Sequence, residues 1–212
     1  WAIIALTQAG HKDAVSSLKI ALTDANIDAR SEAIRAIITL DKTEGISNFR
    51  MALGWLPPAK LTEMAKAMEE AFIPYLDIAL TSSRPEIQQA AMQALQSAGE
   101  QKETSLLNGA MGRTRDTSLK VSIMDRLAEL HGSSELTRLQ KASSVGQSMP
   151  VRLAAVRLMG EVGDVAADVA LRAGLLDSDE KIRTTSAVAM LQLYGAFKGK
   201  APRKKRAKRK KK

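Results

Sequence analysis

A motif of the form apolar-x-x-small-apolar recurs six times along this chain at nearly constant spacing. Its instances begin at Leu18, Phe49, Leu76, Leu107, Leu139 and Leu171, so the intervals are 31, 27, 31, 32 and 32 residues. The small position three residues on is held by Ala21, Ala52, Ala79, Ala110, Ala142 and Gly174. Residues three apart share one side of a helix, so each instance marks a helix with a slim, apolar contact stripe. A unit of about thirty residues cannot enclose a core alone and buries its apolar face against its neighbours. The period therefore predicts an all-α, right-handed α-solenoid of about six helix pairs over residues 1–195.

The helices alternate in two kinds. Those carrying the motif are here called A. About fifteen residues after each A anchor comes a second amphipathic stretch, B. These B stretches run over Asp28–Leu40, Pro58–Glu70, Pro85–Ser97, Asp116–Leu130, Met149–Val162 and Asp179–Leu193. Ile87, Ala91, Ala94, Leu95 and Ala98 follow the helical period in one of them. Alternation at period two is absent, which argues against strands. Pro58, Pro74, Pro85 and Pro150 stand where helices start, and Gly54, Gly99, Gly112, Gly132 and Gly163 where they end. Asp24, Asp116 and Asp179 are candidate N-caps. The segment Trp55-Leu56-Pro57-Pro58 coincides with the one short interval and predicts an irregular repeat.

Two units carry a family resemblance. Ile73-Pro74-Tyr75-Leu76 with Ala79-Leu80, Pro85-Glu86-Ile87-Gln88, Ala91 and Ala94-Leu95 resembles a HEAT repeat of the short bacterial type. So does Leu171 with Leu175, Asp177-Ser178-Asp179, Ile182-Arg183, Ala187 and Met190-Leu191. The resemblance implies an Asp in the A–B turn and an Arg early in helix B. Asp24 with Arg30, and Asp177 or Asp179 with Arg183, match it; Arg152 has no acid before it. Lys60, Gln88 and Lys120 depart from it in the Arg place. HEAT arrays serve unrelated tasks, so the resemblance implies the fold and leaves function open.

Charge is divided sharply. Of 32 Lys and Arg residues, 11 lie within 198–212, which leaves 21 against 23 acids in residues 1–197. The basic residues are Lys198 and Lys200, then Arg203, Lys204, Lys205 and Arg206, then Lys208, Arg209, Lys210, Lys211 and Lys212. A segment with so many like charges and so little apolar surface is expected to be a disordered tail over 196–212. It attracts nucleic acid or another polyanion nonspecifically through counterion release. No aromatic residue stands among these charges to stack on bases, so sequence discrimination is not expected. In a eukaryote the same run would serve as a nuclear localisation signal; otherwise the expected location is cytoplasmic.

Candidate sites in the body are few. Arg30, Gln88, Lys120, Arg152 and Arg183 form a series that either lines a groove or ladders between repeats. Ladder bonding is the favoured role, because a phosphate-reading surface is normally net basic. His11 and His131 fall in predicted loops about four repeats apart and cannot share a site. The chain has no Cys, and no nucleophile elbow, P-loop or dinucleotide turn. Its Met residues fall at helical spacing as core filling. No catalytic, metal or cofactor site is therefore expected, and no membrane span, since no apolar run is long enough.

These readings converge on a non-catalytic scaffold. Its concave face would bind another protein, and its tail would tether it to nucleic acid or another polyanion. Two alternatives stand beside it: a solenoid that holds nucleic acid with basic B-helix residues, and an enzyme-like HEAT protein such as a bilin lyase relative. Because the chain opens on Trp1 within an apolar helical run, a missing native N-terminus is also expected, and a third alternative is that the solenoid is the C-terminal section of a larger protein whose activity lies upstream.

Overall fold

The structure is a computed structural model that describes residues 2–9 and 14–195. Within them the chain is all-α, with no strand. Thirteen α-helices follow one another. The first four are α1 (Ala2–Ala9), α2 (Ala14–Ala21), α3 (Ile27–Leu40) and α4 (Lys42–Ala52). Then come α5 (Pro58–Met68), α6 (Ile73–Leu80), α7 (Pro85–Leu95) and α8 (Glu100–Arg113). The remainder are α9 (Thr117–His131), α10 (Leu136–Ala142), α11 (Met149–Val162), α12 (Asp168–Leu175) and α13 (Glu180–Leu193). Short 3-10 turns over Glu69–Phe72, Gly132–Glu135 and Val165–Ala167 lead into α6, α10 and α12. The even-numbered helices from α2 onward carry the motif, and the odd-numbered ones from α3 are the B stretches.

The caps explain where the helices stop. Asp116 and Asp179 accept hydrogen bonds from the first free N–H groups of α9 and α13. Pro58 and Pro85 open α5 and α7, where an N–H would have no partner anyway. Gly163 ends α11 in the left-handed region at φ 69°. Three assignments differ. Asn26 caps α3 in place of Asp24, whose carboxylate instead accepts from the Asn26 N–H and tightens the turn. Gly99 precedes α8 as its N-cap, and Gly112 lies inside that helix because α8 continues to Arg113.

The helices divide into two compact units, one up to Arg115 and the other from Asp116. In the first, α2 packs on α3, α4 on α3 and α6, and α5 and α6 on α7. Val15, Leu18, Ala36 and Ile37 make one buried cluster there. Phe49, Phe72 and Tyr75 make another, with ring centroids 5.3–5.5 Å apart. Gly45 lets α4 lie on α3; a Cβ there would stand 2.9 Å from Ile38 Cα and 2.7 Å from the Tyr75 hydroxyl. In the second unit α11 packs on α9 and α13, and α12 on α13. All six motif anchors are buried, from Leu18 and Phe49 to Leu139 and Leu171.

The irregular segment falls where the short interval predicts it. After α4 the chain turns through Leu53–Leu56 and buries Leu56 completely. Arg84 reaches back from the next unit, its Nη1 donating to the carbonyls of Leu53 at 3.0 Å and Leu56 at 2.9 Å. The Leu53 carbonyl belongs to the cap of α4 and the Leu56 carbonyl to the turn that follows, so one guanidinium satisfies two acceptors at the distorted end.

Candidate functional site

Each member of the Arg and Gln series sits near the start of a B helix, beside the preceding turn. Gln88 is buried and donates to the Ser82 carbonyl, six residues back, at 2.6 Å. Arg183 does the same at the same offset: its Nη1 donates to the carbonyls of Asp177 and Ser178, both at 2.9 Å. Arg152 is buried, donates from Nε to the Ser143 carbonyl at 3.1 Å, and pairs through Nη2 with Asp177 of the following repeat. Arg30 lies over the Trp55 ring, its guanidinium carbon 4.6 Å from the centroid, a cation–π contact. Lys120 is half-buried in the first turns of α9. Four of the five thus bond to or pack against turns and neighbouring helices.

Asp177 anchors this arrangement. It accepts from the Asp179 N–H at 2.9 Å and from Arg152, and these contacts hold its carboxyl below the usual aspartate range, the backbone N–H most strongly. Arg152 therefore does have a matching acid. It lies 25 residues ahead in the chain, on the turn between α12 and α13, and the packing of α11 against those helices brings it close.

A second set of pairs escaped notice in the sequence. Asp28 meets Lys60 at 3.1 Å, Glu70 meets Lys102, and Asp125 meets Arg157, each pair separated by 32 residues. Searching for opposite charges one period apart would have found all three. They are solvent-exposed pairs of the kind that contribute little to stability, so their consequence is register. Of the body's acids, these pairs and others such as Arg113–Asp77, Lys19–Glu44 and Arg172–Asp168 occupy a large share.

The described residues also form a small groove. It lies between α1 and α3, has a volume of about 210 Å³, and is lined by Ile3, Thr7, Gln8, Glu32, Arg35, Ala36 and Thr39. Glu32 and Arg35, one helical turn apart, form an ion pair inside it. Thr7 and Thr39 donate to the carbonyls of Ile3 and Arg35, which leaves their oxygens free to accept. The groove thus combines a guanidinium, a carboxylate and two hydroxyl oxygens with an apolar floor of Ile3 and Ala36.

His131 is the last residue of α9 and not a loop residue, because α9 continues to the Gly132 cap. His11 and the basic residues Lys198 to Lys212 lie outside the described residues. Among the described residues no three His, Cys, Asp or Glu side chains gather as metal ligands. None of the helices described is long and apolar enough to cross a membrane.

No family model and no curated protein matches the chain. Among solved structures it is similar to human deoxyhypusine hydroxylase in complex with glycerol, at 18% identity and a TM-score of 0.48, over 91% of this chain and 78% of that one. The expectation of a non-catalytic, protein-binding scaffold is not carried further, since the structure this chain is similar to is that of an enzyme. The absence of Cys and of a nucleophile motif does not exclude catalysis. A likeness of this degree transfers neither that enzyme's activity nor its ligand to this chain.

Proposed function

We propose that this chain is a HEAT-like α-solenoid protein that binds nucleic acid through its basic C-terminal segment. One observation carries the proposal: the segregation of 11 basic residues into 198–212, beside a body with 21 basic and 23 acidic residues. Most of the body's acids already pair with body cations or cap helices, as Asp125, Asp116 and Asp177 do. The body therefore offers the segment no strong internal counter-charge, and its neutralisation falls to an external polyanion. The solenoid architecture is supported by the ion pairs repeated at 32 residues and by the turn bonds repeated six residues back at Gln88 and Arg183. Binding to labelled duplex DNA, measured over a salt series for the full chain and for one ending at residue 197, tests it. Loss of binding on truncation supports the proposal; unchanged binding refutes it.

The α1–α3 groove favours a second reading, an enzyme-like HEAT protein with a small polar substrate. Glu32 and Arg35 would orient a ligand carrying both a donor and a carboxylate-like acceptor. A thermal-shift screen of small polar metabolites, repeated with Arg35→Met, distinguishes the outcomes. Ligands whose stabilisation disappears in the variant support this reading, and a screen without such ligands removes it.

A further inference from the structure

Arg30 departs from the other polar residues at the starts of the B helices. Gln88 and Arg183 donate to carbonyls six residues back, and Arg152 donates to the Ser143 carbonyl and pairs with Asp177. The matching acceptor for Arg30 is the carbonyl of Asp24, which it does not take. Among the described residues its guanidinium makes no hydrogen bond and no ion pair, and it lies instead over the Trp55 ring, 4.6 Å from the centroid. The acids nearest to it in the chain are engaged elsewhere. Asp24 accepts from the Asn26 N–H, Asp28 pairs with Lys60 at 3.1 Å, and Glu32 pairs with Arg35. Lys60 in turn holds Glu63 at 3.0 Å. The charge of Arg30 is therefore left unanswered.

Trp55 gives this cation a fixed platform. Leu56 beside it is fully buried, and Arg84 ties the carbonyls of Leu53 and Leu56, so the backbone is held on both sides of the indole. A guanidinium stacked on a ring held in this way keeps its plane. Arg30 is half-buried, and its Nε is buried with no acceptor, which leaves the Nη1–Nη2 end as the open edge. Part of the cost of desolvating the cation has thus been met in folding, and an arriving anion meets that much less. The lower dielectric beside the indole also strengthens the attraction. Arg50 and Arg115 supply the contrast: they too have no ion pair among the described residues, but both are exposed to water.

We infer that Arg30, stacked on Trp55, is a binding site for a small carboxylate. The two oxygens of a carboxylate lie in one plane and match two parallel N–H donors of a guanidinium. With Nε closed off, the Nη1–Nη2 end can make such a pair. A phosphate dianion asks for more than this place offers. It is tetrahedral, with three charged oxygens, and is met by several cations or by the free N–H groups of a helix start. Here Lys60 is already paired, and Asn26 accepts from the first N–H groups of α3. One unanswered, planar cation selects one planar, singly charged anion. The site depends neither on the basic segment nor on the α1–α3 groove.

Titration of the full chain with sodium acetate at constant ionic strength, followed by proton–nitrogen correlation spectra, tests this. The Arg30 Nε–H and Trp55 indole N–H signals are expected to move together and saturate, with a half-point of about 1–20 mM. The signals of Arg50 and Arg115 should not saturate, and neither should any signal when inorganic phosphate replaces acetate. Arg30→Lys keeps the charge but loses the fork, and is expected to weaken binding about tenfold, read at the Trp55 indole. Trp55→Leu is expected to weaken it about fivefold, read at the Arg30 Nε–H, with the helical circular dichroism unchanged. No saturation below about 100 mM acetate would overturn the proposal. So would full affinity in Arg30→Lys, an equal response at Arg50, or phosphate binding as tightly as acetate.

Discussion

Replacing Gly160 by alanine sets two known effects against each other. In an exposed helix the change would stabilise by about 1 kcal/mol, because glycine loses more backbone freedom on folding. Here the new Cβ would lie 2.6 Å from Ala189 Cα, 2.7 Å from Ala189 Cβ and 2.7 Å from Gln192 Oε1. Ordinary carbon contacts are about 3.5–4.0 Å, so α13 must retreat by about 1 Å. Two of the obstructing atoms belong to or adjoin backbone, and only the Gln192 amide can swing aside. Overpacking of this kind costs about 1–3 kcal/mol, and an obstructing backbone puts this case at the upper end. The expected net loss is about 2 kcal/mol, a thirtyfold change in the folding equilibrium. Gly112→Ala is the counterpart: it lies inside α8, nothing stands within 4 Å of its Cβ, and about 0.5–1 kcal/mol of stabilisation is expected. Urea unfolding at constant slope measures both. A neutral or stabilising Gly160→Ala would refute the close α11–α13 contact.

Other outcomes follow from single atoms. Ser186 is fully buried with its Oγ unpartnered, so Ser186→Ala is expected to stabilise by about 1 kcal/mol in the same assay; a loss of stability would mean the hydroxyl has a partner. Glu69 ends α5 at φ 46°, ψ −121°, nearly the conformation in which Gly132 ends α9, so Glu69→Gly is expected to gain about 1 kcal/mol. A destabilised variant would show that Glu69 contributes contacts outweighing the strain. Asp177 has a depressed folded pKa, so its contribution is present above the ordinary aspartate value near 3.8 and is lost as pH falls below it. Asp177→Asn should therefore flatten the acid limb of stability against pH, with little change in its shape near neutrality; an unaltered limb would exclude Asp177 as a contributor. Changing Lys204, Lys205, Lys210 and Lys211 to Gln should lower the salt slope of DNA binding by about 3.6, and an unchanged slope would place the contacts elsewhere.

What the sequence makes legible is what repeats. The six anchors from Leu18 to Leu171 are buried because slim stripes of this kind can pack only against neighbouring helices. The B stretches start where they do because the proline and aspartate signals act locally: Pro58 and Pro85 need no N–H, and Asp116 and Asp179 reach only two or three residues ahead. Less legible were features whose partners lie elsewhere in the chain. Gly112 reads as a helix end, yet both it and Gly160 lie inside helices, where one faces open space and the other a backbone. That difference depends on the distance between α11 and α13, which no local pattern states.

The candidate site was obscured for the same reason. Asp177 looks like a local partner of Arg183, with the spacing of a HEAT turn, but its carboxylate takes Arg152 from the preceding repeat and leaves Arg183 the turn carbonyls. Both residues were visible; the choice between them is made by stacking. The same stacking explains why the body's cations are poor evidence for a nucleic-acid groove. Lys60, Lys102 and Arg157 each meet an acid one period earlier, so their charge is answered within the array. Cations and acids that answer one another across packed helices leave the uncompensated charge concentrated in one segment. Function is then most readily sought where charge is not answered among the helices, in the basic run that begins at Lys198, and at the α1–α3 groove.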